Sequence, residues 1–248
     1  MRVIDAIWEK KNLGIATLEI LIDDFDYSKS ENSLIDEMKS IIGNNRYRYI
    51  VVKFKPGHAN LLYIVNILGF SFIELQFELS LDKNKFNAEN YSYLERHCDL
   101  IVKETSDSKD FDIVIENLKY NLFETDRISF DSKFGKDVSN KRYKGWVESL
   151  KGNNLYNLYL AYQGKHLVGF QVNKMNDSIC EPVLGSLVND YKNKGIGLMF
   201  YFALLKHTFQ KYNSVHTFIS SNNISVFKLW EYFGVTIKGM QYVYIKHI

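Results

Sequence analysis

Apolar residues recur along this chain at two spacings, and each predicts elements. Tyr47–Phe54 is a continuous β-rich run that predicts a strand buried on both faces, and Phe70–Leu81 alternates like a long strand. Leu34, Ile35, Met38, Ile41 and Ile42 fall at helical intervals, so Ser33–Ile42 predicts a helix capped by Ser30 or Ser33 and ended by Gly43. Ala59–Leu68 predicts a second helix, closed by Gly69. From Val3 to Ile22 the apolar spacing, broken at Asn12 and Gly14, predicts strands. Further on, Phe111–Leu122 and Lys141–Leu150 predict helices separated by a glycine-containing loop over Phe130–Val138. Leu155–Ala161 and Val168–Val172 predict a hairpin closed by Tyr162-Gln163-Gly164-Lys165. Polar stretches at Asp82–Asn90 and Glu104–Asp110 offer boundaries; the second divides the chain into a smaller N-terminal α/β domain, 1–105, and a C-terminal domain, 106–248.

In the C-terminal part the pattern becomes specific. The apolar run Leu184–Val188 enters Lys192-Asn193-Lys194-Gly195-Ile196-Gly197, and a long apolar-periodic segment leaves it. Strand, glycine turn, helix is the predicted order. Backbone N–H groups at a helix start have no intrahelical partner and sit at the positive end of the dipole. Glycines without Cβ let that backbone approach a phosphate, and Lys192 and Lys194 add charge, so the stretch predicts an anion cradle for a pyrophosphate. Downstream, Val215–Ile219 alternates, the polar turn Ser220-Ser221-Asn222-Asn223 follows, and Ser225–Phe233 predicts a helix stopped by Gly234.

Composition narrows the function classes. The 248 residues carry a formal charge of +2 with acids and bases interspersed, which argues against a surface that tracks nucleic acid. Cys98 and Cys180 lie far apart without metal-ligand spacing, so neither a zinc site nor a disulfide framework is expected, and no metal is assigned. Glu9-Lys10-Lys11 interrupts any secretory apolar core, and no run is long enough for a membrane span; a reducing cytoplasm is the expected compartment.

Lys192-x-x-Gly195-x-Gly197, followed by Asn223, Phe227, Trp230 and Phe233-Gly234, resembles the GNAT N-acetyltransferases in order and spacing over the last hundred or so residues. The resemblance implies an α/β (α+β) GNAT fold: a mixed central sheet splayed at the cofactor site, beside an N-terminal domain of truncated GNAT-like character. It implies acetyl-CoA as cofactor, a small-molecule amine as acceptor, no nucleic-acid or membrane partner, and a homodimer as a permitted assembly. The cofactor-binding set it implies is Leu187, Val188, Lys192, Asn193, Lys194, Gly195, Ile196, Gly197, Asn223, Phe227 and Trp230. Over the full length, Trp8-Glu9, Leu68-Gly69-Phe70, Arg127-x-x-Phe130, Arg142-Tyr143-x-x-Trp146 and Tyr242-x-Tyr244 resemble the branch that acetylates dTDP-linked amino sugars such as dTDP-fucosamine. That likeness implies a nucleotide-linked amino-deoxysugar as acceptor; a peptide, polyamine or antibiotic amine, or a non-catalytic acyl-CoA-binding role, are the alternatives.

Acetyl transfer to an amine asks mainly for positioning, because the thioester is already activated. By the resemblance, the main chain at Leu187 and Val188 pairs with the pantetheine arm. The family's usual proton donor to sulfur is a tyrosine at the position held here by Trp230, whose indole is no acid at accessible pH. Tyr242 and Tyr244 are the candidate substitutes, with water as the other. For the base, Glu181, His166 or a water chain remain open, and Arg127 with Phe130 is the candidate acceptor pocket.

Overall fold

Alternation and β-branching along the chain resolve, in a computed structural model that describes residues 1–43, 46–118 and 122–248, into the strands of one sheet. The strands are β1 (Arg2–Asp5), β2 (Thr17–Leu21), β3 (Tyr49–Phe54), β4 (Ser71–Asp82), β5 (Ile101–Thr105), β6 (Tyr156–Gln163), β7 (His166–Asn176), β8 (Ile179–Leu187), β9 (Ser214–Ser220) and β10 (Thr236–His247). Their spatial order is β1-β2-β3-β10-β4-β9-β8-β7-β6-β5. The pairs β2/β3 and β8/β9 are parallel, and the others are antiparallel.

The helices are α1 (Ile7–Leu13), α2 (Glu31–Ile42), α3 (Ala59–Ile67), α4 (Ser92–His97), α5 (Ser108–Asn117), α6 (Arg127–Phe130), α7 (Gly135–Ser149), α8 (Gly197–Thr208) and α9 (Ile224–Tyr232). A repeat is visible: β2-α2-β3-α3-β4 in the first half matches β8-α8-β9-α9-β10 in the second. Each half sends its last strand across to the other. β4 lies between β9 and β10, and β10 lies between β3 and β4. Residues on both sides of position 105 therefore share one sheet.

Alternate residues of single strands face different helices, as a pleated sheet requires. Val52 packs with Leu34, Met38, Leu61 and Ile64 of α2 and α3, whereas Val51 packs with Ile128 of α6. Likewise Leu158 and Leu160 meet Phe111, Val114 and Val147 of α5 and α7, while Tyr159 and Ala161 meet Phe200 and Leu204 of α8. A fifth cluster joins Leu79 and Leu81 of β4 to Phe202, Leu205 and Trp230 of α8 and α9, so a strand of the first half is cored by helices of the second.

Most predicted elements form within a few residues of their expected bounds. Ser30 is the cap of α2, accepting from the Ser33 amide at 3.3 Å. Two expectations fail. Val3–Ile22 is not strand throughout: Ile7–Leu13 is a helix that leaves Ile7 and Trp8 exposed and buries Glu9. Its inward face is a charge, so hydrophobic spacing could not reveal it. The loop expected over Phe130–Val138 is mostly helical, because Asp126 caps α6 through the Ile128 and Ser129 amides and α7 begins at Gly135. Of the helix predicted over 111–122, positions 119–121 lie outside the described residues.

Candidate active site

Strands β8 and β9 pair only at Ile179 with Ser214 and Cys180 with Val215. Beyond that point β8 carries Pro182, which has no N–H to donate, and a register shift against β7 that makes Val183 a bulge. The next bond across the gap is made by a side chain, the Thr217 hydroxyl donating to the Pro182 carbonyl at 2.8 Å. The strands have parted. Val188 N–H bonds the Val168 carbonyl at 2.9 Å, so alternation along the antiparallel β7/β8 pair turns the amides of Leu187 and Gly185 away from β7 and toward the gap.

At the far end of β8, Asn189–Tyr191 forms a 3-10 turn and the chain bends through Lys192–Ile196 into α8. Asn193 (φ 61°) is the one non-glycine residue among the described residues in the left-handed region, and Gly195 (φ 76°) follows it. No side chain caps α8, and residues 193–195 are exposed. A Cβ on Gly195 would meet open space, and one on Gly197 would lie 3.6 Å from Leu229 Cδ1. The first amides of α8 are thus unscreened by side chains, the condition for holding a diphosphate.

A cavity of about 290 Å³ fills the gap between Pro182–Gly185 of β8 and Thr217–Ser220 of β9. Asn223, Val226 and Trp230 of α9 and Tyr201 of α8 line one side; Phe123, Tyr143 and Trp146 give another an aromatic wall. The cavity's charged residues are Glu74, Asp126, Arg127 and Arg142. Behind them Glu9, 1% exposed, accepts from Arg127 at 2.5 Å and from Arg142 at 2.6 and 2.7 Å. Burial alone would raise the Glu9 pKa, but the two guanidinium groups overcome it and lower the value to about 2. The triad ties α1 to α6 and α7.

The structure brings some of the expected residues to this site and leaves others elsewhere. Asn223 both caps α9, accepting from the Val226 amide at 3.4 Å, and lines the cavity; Trp230 lines it too. Phe227 instead packs on Phe77, with ring centroids 5.0 Å apart. Lys192 donates to the Leu122 carbonyl at 3.0 Å, and the Lys194 ammonium sits over the Tyr191 ring at 5.5 Å. Arg127 reaches the cavity, held by the Glu9 carboxylate that it shares with Arg142 and with its Nε unpartnered; Phe130 is half exposed and outside the cavity. Tyr242 and Tyr244 lie on β10 beside Phe54 and Phe72, within the core of the first half, because strand exchange carries β10 away from the gap. Glu181 pairs with Lys174 and His166 is exposed at the hairpin; neither lines the cavity.

Tyr201 and Glu74 are among the cavity residues that the sequence did not single out. Tyr201 meets Trp230 edge to face, at 5.9 Å between centroids, and its burial raises the phenol pKa, keeping it protonated. In the sequence it is one more aromatic in an apolar helix. Glu74, on β4, is 3% exposed with its Oε2 unpartnered, and burial raises its pKa. In the sequence it falls on the polar phase of β4 with Gln76, Glu78 and Ser80, so nothing local marks it.

A mixed sheet that parts between two parallel strands, with an uncapped glycine turn heading the helix between them, defines the GNAT fold. No protein-family model and no curated protein sequence matches the chain. Solved structures do. A functionally unknown conserved protein from Staphylococcus epidermidis superposes with a TM-score of 0.65 at 15% identity, over 96% of this chain and 87% of that one. A GCN5-related N-acetyltransferase from Sphaerobacter thermophilus gives 0.64 at 9% identity, over 99% and 75%. A tandem GNAT protein from the clavulanic acid biosynthesis pathway gives 0.58 at 10%, over 94% and 76%. Likeness at such identities concerns the fold.

Proposed function

We propose that this chain is an acetyl-CoA-dependent N-acetyltransferase acting on a primary amine, with a nucleotide-linked amino-deoxysugar as the acceptor to test first. The observation that carries the proposal is the parting of β8 from β9 around a cavity, with the glycine turn at the outer end of the same strand. The names of the Sphaerobacter protein and of the tandem GNAT protein agree with it.

In this reading the amides of Gly195, Ile196 and Gly197 hold the diphosphate, and those of Leu187 and Gly185 face the pantetheine arm. Asn223 and Trp230 border the arm from α9. When bound, acetyl-CoA supplies a thioester that needs no further activation. Tyr201, rather than Tyr242 or Tyr244, supplies the proton to sulfur, since its phenol shares the cavity wall with Trp230. The aromatic wall of Phe123, Tyr143 and Trp146 suits the apolar face of a sugar ring, and Gln76 and Gln171 its hydroxyls.

The test is calorimetric titration with coenzyme A combined with thiol release from acetyl-CoA. Binding at one site per chain and thiol release dependent on an added amine are expected. Absence of coenzyme A binding would end the proposal. Turnover of polyamines with none of any nucleotide amino sugar would keep the enzyme and replace its acceptor.

A further inference from the structure

We propose that Glu74, on the strand the first half lends to the sheet, receives the acceptor as an ammonium ion and takes its proton, which makes cationic primary amines the acceptor class. The proposal deepens the acetyltransferase reading and rests on it.

The strand is built to aim this side chain. In the β4/β10 pairing Val243 faces Glu74 and Tyr244 faces Phe72, so Ile73 is an extra residue on β4, a bulge. Strict alternation would put Ile73 and Glu74 on opposite faces. Glu74 reaches the cavity by ordinary alternation with Gln76, which lines it too, and the bulge turns Ile73 to the same side, into the cluster of Val51, Ile128 and Val243 beside α6. Phe72 turns to the other face, against Tyr242 and Tyr244. The backbone around the bulge is also held from β9's end: Leu75 exchanges hydrogen bonds with Ser221, and the Asn222 amide side chain donates to the Ile73 carbonyl.

The fixed charges around Glu74 balance without it. Arg127 and Arg142, from α6 and α7, share the one carboxylate of Glu9 of α1, which leaves one positive charge and the Arg127 Nε unmatched, and Asp126 offsets that charge; Lys53 of β3 is paired with Glu19 of β2. Asp126, the cap of α6, accepts from the Ile128 and Ser129 amides and from the Ser129 and Ser139 hydroxyls. Arg127 and Lys53 favour the charged form of Glu74, as does the Ser220 hydroxyl of β9, while Asp126 opposes it; burial outweighs them. What remains is a buried carboxylate whose Oε2 has no donor, facing a cavity large enough for a small amine. An ammonium supplies the missing donor and the missing charge together.

The proton count closes. Glu74 takes one proton from the ammonium, and the freed lone pair forms the bond from nitrogen to the acetyl carbonyl carbon. The carbon–sulfur bond breaks with its electron pair going to sulfur. Tyr201 gives its proton to that sulfur and regains one from the nitrogen, and Glu74 returns its proton to solvent. The products are the amide and the free thiol.

The experiment compares wild type with Glu74→Gln, using n-butylamine, ethanolamine and glucosamine as probe amines. Glu74→Gln should fold at least as stably at neutral pH, because a carboxylate whose folded pKa is raised costs stability above that pKa. At pH 7 kcat/KM should fall on the order of a hundredfold, with coenzyme A affinity unchanged. The deficit should close as pH rises toward the amine's own pKa, where the acceptor arrives already neutral. Without any acetyl-CoA, n-butylammonium should raise the melting temperature of wild type and not of Glu74→Gln. A pH-independent deficit or equal ammonium-induced stabilisation of both proteins would each overturn the proposal. Either outcome leaves the cofactor site standing, whereas failure to bind coenzyme A would remove the broader reading instead.

Discussion

The two halves repeat one topology, yet one is closed where the other is open. β2 and β3 pair from Thr17 with Tyr49 through Leu21 with Lys53, and the Ile22 amide extends the ladder to the Lys53 carbonyl at 3.0 Å. Tyr27 then joins the strand ends, its hydroxyl donating to the Ile22 carbonyl at 3.2 Å and accepting from the Lys55 amide at 2.9 Å. At the matching place β8 has Pro182 and a bulge, and its ladder with β9 stops after two pairs. The turns differ as well. Asp23-Asp24-Phe25-Asp26 is acidic, with Asp26 buried against Lys29 and the Met1 amine at 2.7 Å each, where the second half has Lys192, Lys194, Gly195 and Gly197. An identical strand order therefore gives a slot only where the ladder loses a donor and the turn exposes amides. The closed half contributes differently, through the exchanged strand that carries Glu74 to the open one.

Cutting the link between the halves should produce the largest effect. Glu9→Gln leaves two buried guanidinium groups without their anion, which should cost about 3–5 kcal/mol in a denaturant titration. The Glu9 pKa is lowered on folding, so its contribution is present above the unfolded value and lost as pH falls through the folded one, from 4.5 toward about 2. An acid limb in the stability profile should shrink in the variant; an unchanged limb would place the linkage elsewhere.

Opening against closing is tested next at the turn. Gly195→Val puts a β-branched residue at φ 76° and a side chain in front of the first amides of α8, so coenzyme A affinity should drop about a hundredfold, or ~2.7 kcal/mol. Gly14→Val, at φ 77° in the first half, is the control for backbone strain. It should lower stability comparably and leave the affinity alone. If both variants lose affinity alike, the turn acts only through folding.

Within the open half, Tyr201→Phe should lower kcat about tenfold at neutral pH, a modest loss because a thiol of pKa near ~8.5 leaves readily, and the loss should fade above that pH. Trp230→Phe should cost less than tenfold, since an indole contributes wall and no proton. A thousandfold loss there with an active Tyr201→Phe would remove Tyr201 as the donor and make the indole wall essential for placing the thioester.

Legibility followed the range of the interactions. The open half could be read because its signals are local: strand, glycine turn and helix lie within consecutive residues, and Asn223 caps the helix it precedes. Helix α1 could not, because its buried face is Glu9 and its partners lie more than a hundred residues away. Tyr242 and Tyr244 looked close to the site by sequence, but exchange of β10 moves them into the first half's core. Val188, expected to offer an amide, spends it on Val168, and the parity of one ladder turns the amides of Leu187 and Gly185 to the gap instead. Glu74 needed the exchange, since on its own strand it is one polar residue in phase with Gln76 and Glu78, and only the crossing of β4 brings it to the gap.

The smallest effect concerns the closed half itself. Tyr27→Phe removes the hydroxyl that bridges Ile22 and Lys55, and the stability cost should be about 1 kcal/mol, that of a net hydrogen bond, with the exposed Lys55 amide left to water. The ladder from Thr17 to Leu21 stays intact, and so does the acidic turn, which repels the diphosphate that a second slot would need. Coenzyme A should therefore still bind once per chain by calorimetry. A second equivalent bound by Tyr27→Phe would show that one hydroxyl, rather than the whole ladder and its charges, keeps the first half shut.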